Sequence, residues 1–353
     1  MDTHNPYASA YAFLSLPSFA YLSSIWPLRY FISLYFSLLA SYFFFIFLIM
    51  YVVFIAPPDS SISIFLLQTL PSFLGSITDS ICGASFTARL SKCSHWVTSE
   101  RNPLMQIVYL LVVGTAWSVM IFVGYDFIRA GNPFLGMYHC TLGYVVYATC
   151  LTTFYLACTV PAGTIDAGNL EAQETFPYDN VLFSSKICTR TNVRKLARSK
   201  FCKMSNRHIP RFDHFCVWLN QSVGYHNYRF FLLFLLVHAL MLTYGFVACA
   251  LILYGRATSE NLFQIQFYNT KTREYVNASW LVVFSYLSKE RGLFVVGLLI
   301  LSGVMGLVMW GFAIFHFYLT SWGMTTNEYV RERSEWRQVE TLINPTAVLG
   351  RAE

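Results

Sequence analysis

The sequence predicts an all-α polytopic membrane protein, and two observations carry that prediction. Of the 353 residues, 56% are apolar and only 12% are charged, against about 45–50% and about 25% in soluble globular proteins. Five stretches without Asp, Glu, Lys or Arg are also long enough to cross a bilayer, because about 20 apolar residues span it as a helix. These stretches are 31–55, 103–125, 134–159, 230–254 and 293–319. The composition excludes a disordered chain and a water-soluble multidomain protein.

Two further apolar stretches are ambiguous. Residues 9–26 are uncharged but contain Pro17 and many serines, whereas 60–78 contains Pro71 and is typical of a segment lying in the membrane interface. Whether either one spans the bilayer stays open. The N-terminus has neither the basic region nor the clear cleavage site of a secretory signal peptide, so no removed peptide is expected.

The loops between the spans predict an orientation. With five spans, one side of the membrane receives 17 Lys and Arg residues, in 56–102, 160–229 and 320–353, and the other side receives 7. Positive charge is enriched in cytoplasmic loops, so the first side is expected to face the cytosol. The same orientation puts the glycosylation acceptor Asn277-Ala278-Ser279 in the lumen, together with the apolar run 280–284, which is too short to span.

A basic block accounts for much of the net charge of +6. Ten of the 24 Lys and Arg residues lie between Lys186 and Arg229, where Asp213 is the only acid. Next to a membrane, such a block suits anionic lipid or a phosphate-bearing cofactor, and no nucleic-acid partner is expected because no such motif accompanies it. The nine cysteines have no disulfide-like spacing. Four lie in apolar runs and are expected to pack as small side chains: Cys140, Cys150, Cys158 and Cys249.

The centre of the basic block places a carboxylate, an imidazole and a thiol within four positions, as Asp213, His214 and Cys216. A cysteine attacks as its thiolate, and a neighbouring histidine oriented by a carboxylate can take the thiol proton. These residues therefore indicate a nucleophilic cysteine at the membrane edge. Taken alone, these residues are better explained by a solvated loop in which Cys216 only packs.

A wider pattern surrounds these three residues. It comprises residues 195–202, 206–207, 213–220 and 223–227, and a Thr-Thr-Asn-Glu sequence at 325–328 follows the last apolar span. Together these segments resemble the DHHC-type protein S-acyltransferases, or palmitoyltransferases, in the variant form Asp-His-Phe-Cys. The Phe-Pro-Tyr-Asp sequence at 176–179 and the segment 323–328 are similar to the Swf-type branch of the endoplasmic reticulum.

The resemblance implies a four-helix transmembrane core plus one extra N-terminal span, with a small cytosolic cysteine-rich-type domain between core helices two and three. The implied division is an N-terminal span and interfacial loop (1–102), a core hairpin (103–160), the cytosolic domain (161–229), a core pair with a lumenal loop (230–320) and a cytosolic tail (321–353). The protein is expected in the endoplasmic reticulum or Golgi membrane, with its active site facing the cytosol.

The resemblance also implies a reaction. Cys216 takes a palmitoyl group from palmitoyl-CoA, a long-chain acyl-CoA co-substrate, and passes it to a cysteine of a substrate protein. His214 serves as general base and then acid, and Asp213 holds its tautomer. The acyl chain is expected to lie among the membrane helices, which explains why the chemistry lies at the bilayer surface.

Further residues are expected to support this site. Thr326 is the candidate partner of Asp213, because in the family the second Thr of the Thr-Thr-x-Glu motif lies near that acid. Thr325 and Asn220 are expected beside it. Three cations are candidates for binding the CoA phosphates, the alternative being a solvated basic face: Arg198, Lys200 and Arg211.

Members of the family fold this segment around two zinc ions, each held by three Cys and one His. The positions matching the first ligand set hold Cys188, Thr191, Phe201 and His208, and those matching the second hold Cys202, Ser205, Phe215 and Ser222. A tetrahedral structural site generally needs four ligands, so structural zinc is predicted to be absent. Buried aromatic surface and hydroxyl hydrogen bonds are expected to replace it.

Two features depart from the family pattern and leave other functions open. Gln221 stands where an Asn usually follows, and the C-terminal Asn-containing element of the family is not recognisable in 329–353. The main alternative is a catalytically inactive relative that binds acyl-CoA or partner proteins as a membrane scaffold. The third is a transporter or channel, for which the spans offer few ionisable groups: His139, His238 and His316.

Overall fold

The computed structural model describes residues 83–180, 183–269 and 273–343, with short pieces between 61 and 80. The chain divides into two units, 1–92 and 93–353. The predicted span at 31–55 and the ambiguous stretch at 9–26 lie outside the described residues, as do nine of the 19 residues of 60–78.

Helices dominate the described residues, and the strands are short. In chain order the helices are α1 (Ser61–Ile64), α2 (Ala84–Ser99), α3 (Leu104–Val119), α4 (Tyr125–Arg129), α5 (Tyr138–Thr159), α6 (Tyr228–Ser259), α7 (Trp280–Leu287), α8 (Arg291–Ser321) and α9 (Thr326–Ile343). The strands are β1 (Lys186–Ile187), β2 (Arg194–Lys195), β3 (Lys200–Cys202), β4 (Arg207–Ile209), β5 (His214–Cys216), β6 (Gln221–Val223), β7 (Gln266–Asn269) and β8 (Glu274–Asn277).

The four predicted core spans are confirmed as long apolar helices, so this is an integral membrane protein. Among the described residues, four helices have the length and composition to cross a bilayer: 104–129, α5, α6 and α8. The first joins α3 to α4 through a π-helical turn, Met120–Gly124, and therefore extends beyond the predicted end at 125. The outer faces are apolar, and Phe122 and Leu307 are 70% and 73% exposed. Lipid rather than water suits such faces.

Buried side chains pack the helices together at both ends of the bundle. One cluster joins the π-helical turn and α4 to α6 and α8 through residues such as Tyr125, Ile252 and Val295. A second cluster joins the other ends of α5, α6 and α8 to the loop that precedes α6. Ala239 of α6 and Ala313 of α8 are fully buried, and small side chains let membrane helices approach closely.

The cysteines of the spans fit their predicted packing role. Cys140, Cys150 and Cys249 are buried and Cys158 is half-buried, and all four are free thiols. They fill space inside an apolar bundle, where a free cysteine behaves as a small apolar side chain.

The loop between α5 and α6 is built from three antiparallel hairpins, β1–β2, β3–β4 and β5–β6. In the second hairpin Phe201 lies opposite His208, and in the third Phe215 lies opposite Ser222. A bridge between Ile165 and His208 joins the start of the loop to the second hairpin. The loop therefore holds its shape through backbone pairing over very short strands.

Polar side chains fasten this loop to the spans. Buried Asn227, just before α6, accepts the N–H of Gly224 at 2.9 Å and donates to the carbonyls of Ser222 at 3.0 Å and Val160 at 3.2 Å. Gln221 donates to the carbonyls of Val160, at 3.1 Å, and Ala157. Helix carbonyls at a C-terminus lack intrahelical partners, so the Gln at 221 satisfies the end of α5.

At the opposite end of the bundle, β7 and β8 form a hairpin followed by α7. The run 280–284, predicted to be too short to span, lies in this helix. Val283 and Leu287 are buried in the first cluster, whereas Trp280 and Leu281 are exposed. The helix therefore packs across the end of the bundle on one face only.

Candidate active site

The carboxylate of Asp213 lies at the centre of the site and is fully buried. Its Oδ1 accepts the backbone N–H of Thr326 at 2.7 Å, and its Oδ2 accepts the Thr326 hydroxyl at 3.1 Å. Nδ1 of His214 donates to Oδ2 at 2.6 Å. A buried charge is tolerated only when it is paired and hydrogen-bonded, and these three donors meet that requirement. The predicted contact between Thr326 and Asp213 is present.

The two ionisable groups shift each other's pKa. Burial raises the pKa of Asp213, but His214 and the N–H of Thr326 outweigh burial and hold that pKa below its usual value. For His214, burial lowers the pKa, whereas hydrogen bonds and charges from Asp213 and Cys216 raise it to about 9. The arrangement therefore favours a carboxylate beside a protonated imidazole at neutral pH.

Cys216 lies two positions after His214 on the same strand, β5, and its side chain is hydrogen-bonded with the His214 ring. The side chain is half-buried, and it packs against the second apolar cluster, which includes Phe154, Phe231 and Phe234. The sulfur thus meets a base on one side and apolar membrane helices on the other. Such a position suits a nucleophile that receives a fatty chain.

The partner of Asp213 comes from a sharp turn between α8 and α9. Gly323 follows the end of α8 with φ of 64°, a conformation that glycine adopts without strain. The N–H of Gly323 donates to the carbonyl of Thr320, and the N–H of Met324 donates to the carbonyl of Leu319, each at 2.9 Å. This is the Schellman pattern that ends helices. The chain is thereby turned so that α9 begins beside the hairpins.

Thr325 and Glu328 cap the start of α9. The N–H of Thr325 donates to Oε2 of Glu328 at 2.8 Å, and the N–H of Glu328 donates to Oγ1 of Thr325 at 3.2 Å. This reciprocal pair is a capping box. It leaves the N–H of Thr326, at the positive end of the helix dipole, free to bind the Asp213 carboxylate.

The family model described as DHHC palmitoyltransferase matches residues 182–333. Palmitoyltransferase ZDHHC4 of Rattus norvegicus is 31% identical over 248 residues, which cover 69% of this chain and 71% of the relative. The chain belongs to the DHHC palmitoyltransferase family. It is also 30% identical to palmitoyltransferase swf1 of Schizosaccharomyces pombe, over 49% of this chain and 48% of the relative. Its activity is protein S-palmitoyltransferase activity, and the Swf-type resemblance of the sequence is confirmed.

In this palmitoyltransferase, the three cations predicted to bind CoA phosphates lie at the start of α9. Arg198 donates to both carboxylate oxygens of Glu328 at 2.6 Å, and also to the carbonyl of Gly323 at 2.6 Å. Lys200 donates to Asn327 at 2.6 Å, and Arg211 donates to Gly323 at 3.3 Å. The basic block therefore clamps the turn that carries Thr326. The sequence does not reveal this role, because the partners lie more than a hundred residues apart along the chain.

The positions expected to hold zinc in the DHHC family do not provide a tetrahedral ligand set. At the first, Cys188 accepts a hydrogen bond from Thr191, while the rings of Phe201 and His208 meet edge to face, 5.5 Å apart. Nε2 of His208 is buried without a hydrogen-bond partner among the described groups. With Cys188 and His208 as the two potential ligands, this position lacks half of a structural site.

The second position offers one thiol and two hydroxyls. Cys202 is hydrogen-bonded with both Ser205 and Ser222, and the two hydroxyls share a hydrogen bond of 3.0 Å. Burial raises the pKa of the Cys202 thiol, but these hydrogen bonds outweigh burial and lower it. Phe215 packs against a third apolar cluster that contains Cys202 and Phe212. The residues present do not fit zinc here either.

The three hairpins repeat one turn at a spacing of 14 residues. Each hairpin has a cysteine before the turn and, four positions later, an asparagine with positive φ. The pairs are Cys188 with Asn192, Cys202 with Asn206, and Cys216 with Asn220. Asn tolerates this left-handed conformation better than most residues. The spacing is visible in the sequence, although the repeated turn was not predicted from it.

Asn220 also connects the nucleophile's turn to the first span. Its carbonyl accepts Nε of Arg101 at 3.0 Å, and its side-chain amide donates to Gln106 at 3.3 Å. Gln106 in turn donates to the carbonyl of Leu219 at 3.2 Å. The expected supporting role of Asn220 is thus to fix the turn that follows Cys216, with no contact to the base required.

The pKa of about 9 for His214 depends on Asp213, and this dependence is testable. We expect autoacylation by wild type to fall as the pH rises through about 9, since the His214 ring then loses its proton. In Asp213→Asn the pKa moves down towards the ordinary 6.5, so the decline begins at lower pH and the maximum rate is smaller. Initial rates with palmitoyl-CoA over a pH series measure both.

Thr326→Val is the graded control, because it removes the hydroxyl but keeps the backbone N–H that binds Asp213. Its pH profile is expected between those of wild type and Asp213→Asn. An alkaline decline at the same pH in wild type and Asp213→Asn contradicts the assigned coupling.

Proposed function

We propose that Cys216 is the acyl carrier of this palmitoyltransferase. The hydrogen-bonded series Asp213, His214 and Cys216, at the edge of an apolar cluster, carries this proposal. The sulfur attacks the thioester carbonyl of palmitoyl-CoA as its thiolate, while its proton is held on the His214 ring. The bond from the acyl carbon to the CoA sulfur then breaks, and the leaving thiolate takes the proton from His214.

The second half of the reaction reverses these roles. The thiol of a substrate-protein cysteine gives its proton to His214 and attacks the acyl group on Cys216. The carrier sulfur leaves and recovers the proton, so one thioester is exchanged for another. Because Nδ1 of His214 donates to Asp213, its other ring nitrogen is left to exchange the proton with Cys216.

We also propose that the site faces the cytosol from an endoplasmic-reticulum or Golgi membrane. The loop carrying Cys216 holds ten of the 24 Lys and Arg residues, and cytoplasmic loops are enriched in such residues. The sequence resemblance to the Swf-type branch of the endoplasmic reticulum supports the same compartment. From there the palmitoyl chain enters the bundle between the aromatic side chains beside Cys216, and protein substrates approach along the membrane surface.

The CoA phosphates bind, in this proposal, in a basic cleft of about 400 Å³ lined by Arg211, Tyr225, His226, Tyr228, Arg229 and Leu232. Arg211 and Arg229 supply two positive charges there, and arginine forks match phosphate oxygens. The donors of Arg198 and Lys200 that bind Glu328 and Asn327 hold the neighbouring turn, so their contribution to phosphate binding is secondary.

The domain folds without structural zinc, and packing replaces the metal. The Ser205–Ser222 hydrogen bond, the Cys202 contacts and the burial of Phe215 support this proposal. Zinc contributes an apparent 10–16 kcal/mol in small zinc-dependent domains. Here the hairpins are additionally held by Asn227 and by the Arg198–Glu328 pair, which are attached to stable membrane helices.

Labelling with a clickable palmitoyl-CoA tests the carrier. We expect hydroxylamine-sensitive label on purified wild type and none on Cys216→Ser. His214→Ala should reduce the labelling rate at least about a hundredfold, the usual size of a general-base effect. Cys93→Ser is the matched control, since Cys93 is an exposed thiol elsewhere, and it should label normally. Label retained on Cys216→Ser refutes the assignment.

Metal analysis tests the zinc-free fold. The purified protein should contain far less than one zinc per chain, and a chelator should leave its thermal unfolding temperature unchanged. A DHHC relative that keeps both four-ligand sets serves as the control in the same buffer. About two zinc ions per folded chain contradict the proposal.

The cleft predicts a selective loss of acyl-CoA binding. Arg229→Ala should raise KM for palmitoyl-CoA about tenfold with little change in kcat, because a hydrogen bond to a charged group is worth about 1.5 kcal/mol or more. Lys203→Ala is the matched control, as this exposed cation of the same basic block lies outside the cleft. Equal effects of the two substitutions argue for a diffuse charge effect instead.

A further inference from the structure

His316 of α8 has no role in the reaction described above, although it lies next to the base. It is 4% exposed, and its ring centroid lies 5.8 Å from that of His214. One polar side-chain atom from each of Asp213, His214 and His316 lies within 4.8 Å of the other two. A buried imidazole this close to a catalytic pair requires an explanation.

Hydrogen bonds fix the orientation of this ring. Nδ1 of His316 and the hydroxyl of Tyr228 are 3.3 Å apart, and the same hydroxyl lies 3.3 Å from Oγ1 of Thr320. Thr320 donates its proton to the carbonyl of His316 at 2.7 Å. Both contacts can be hydrogen bonds together if Tyr228 donates to Thr320 and Nδ1–H of His316 donates to Tyr228. This network sets both the tautomer and the rotamer of His316.

The oriented ring forms one wall around the base. Phe231 of α6 meets His316 edge to face at 4.8 Å and meets His214 in the same way at 5.1 Å. His214 is thus held by Asp213 along its edge and by side chains of α6 and α8 across its face. A misplacement of about 1 Å in a catalytic group costs up to a hundredfold in rate, so such walls matter for catalysis.

We propose that His316, anchored by Tyr228, is a positioning residue for acyl transfer that holds the His214 ring towards Cys216. This inference rests on the proposed role of His214 as the base. The three-residue cluster does not favour a metal site, because Asp213 already accepts three hydrogen bonds from Thr326 and His214.

The first test compares His316→Ala with His238→Ala in purified full-length protein. His238 is the matched control: it is also 4% exposed, lies on α6 and is hydrogen-bonded to a tyrosine, Tyr109, at 2.6 Å. His316→Ala should lower kcat for autoacylation about tenfold or more and leave KM for palmitoyl-CoA within about twofold. A matching loss of kcat in His238→Ala makes the effect structural and overturns the proposal.

The pH profile separates positioning from simple destabilisation. The titratable groups facing His214 are Asp213 and Cys216 on its own segment, His316 on α8 and Tyr228 on α6. Alanine at 316 admits water, which weakens the attraction between His214 and Asp213. The alkaline decline should therefore move to lower pH in His316→Ala and stay in place in His238→Ala. Wild-type kcat and an unmoved decline in His316→Ala refute the proposal.

Two further variants keep the test decisive if His316→Ala does not fold. His316→Asn places an amide near the position of Nδ1 and should give an intermediate kcat. Tyr228→Phe removes the anchor, so its effect on kcat should not add to that of the substitution at 316. Because Tyr228 also lines the proposed CoA cleft, KM is scored separately, and full additivity in kcat overturns the proposed anchoring. Failure of the carrier mechanism is recognised separately. In that case Cys216→Ser still becomes labelled, or His214→Ala is labelled at the wild-type rate.

Discussion

The burial of one carboxylate sets the conditions for the whole site. Asp213 cannot stay ionised away from water unless donors surround it, and two of its three hydrogen bonds come from Thr326, 113 positions further along the chain. The hairpin loop and the end of the last span must therefore meet before the charge is stable. The two segments are held together by the capping box, the Schellman turn and the Arg198–Glu328 pair.

This requirement explains why the basic block and the Thr-Thr-Asn-Glu sequence act together. Arg198 binds both the capping glutamate and the carbonyl of Gly323, so one side chain fixes the helix start and the turn before it. Bidentate pairing of a largely buried arginine with a carboxylate is geometrically specific. The loop is consequently attached to α5, to the start of α6 and to α9 by polar contacts.

The sequence predicted the four core spans well because about 20 consecutive apolar residues leave few alternatives to a membrane helix. Asp213, His214 and Cys216 could also be selected as candidate site residues, since they lie within four positions of one another in the chain. Three features could not be predicted, because each depends on packing between distant segments. They are the π-helical turn that lengthens the first span, the partners of Arg198 and the position of His316 beside His214. Thr326 was placed correctly only through the family resemblance.

The repeated hairpin turn has a consequence for how sulfur chemistry is distributed in this protein. The same backbone turn carries three thiols. Those of Cys188 and Cys202 contact hydroxyl and backbone groups, whereas Cys216 contacts an imidazole and an apolar cluster of the spans. The side chains that surround each cysteine, rather than the cysteine itself, determine which of the three thiols is reactive. A repeated turn can in this manner support the fold at two positions and supply a reactive group at the third.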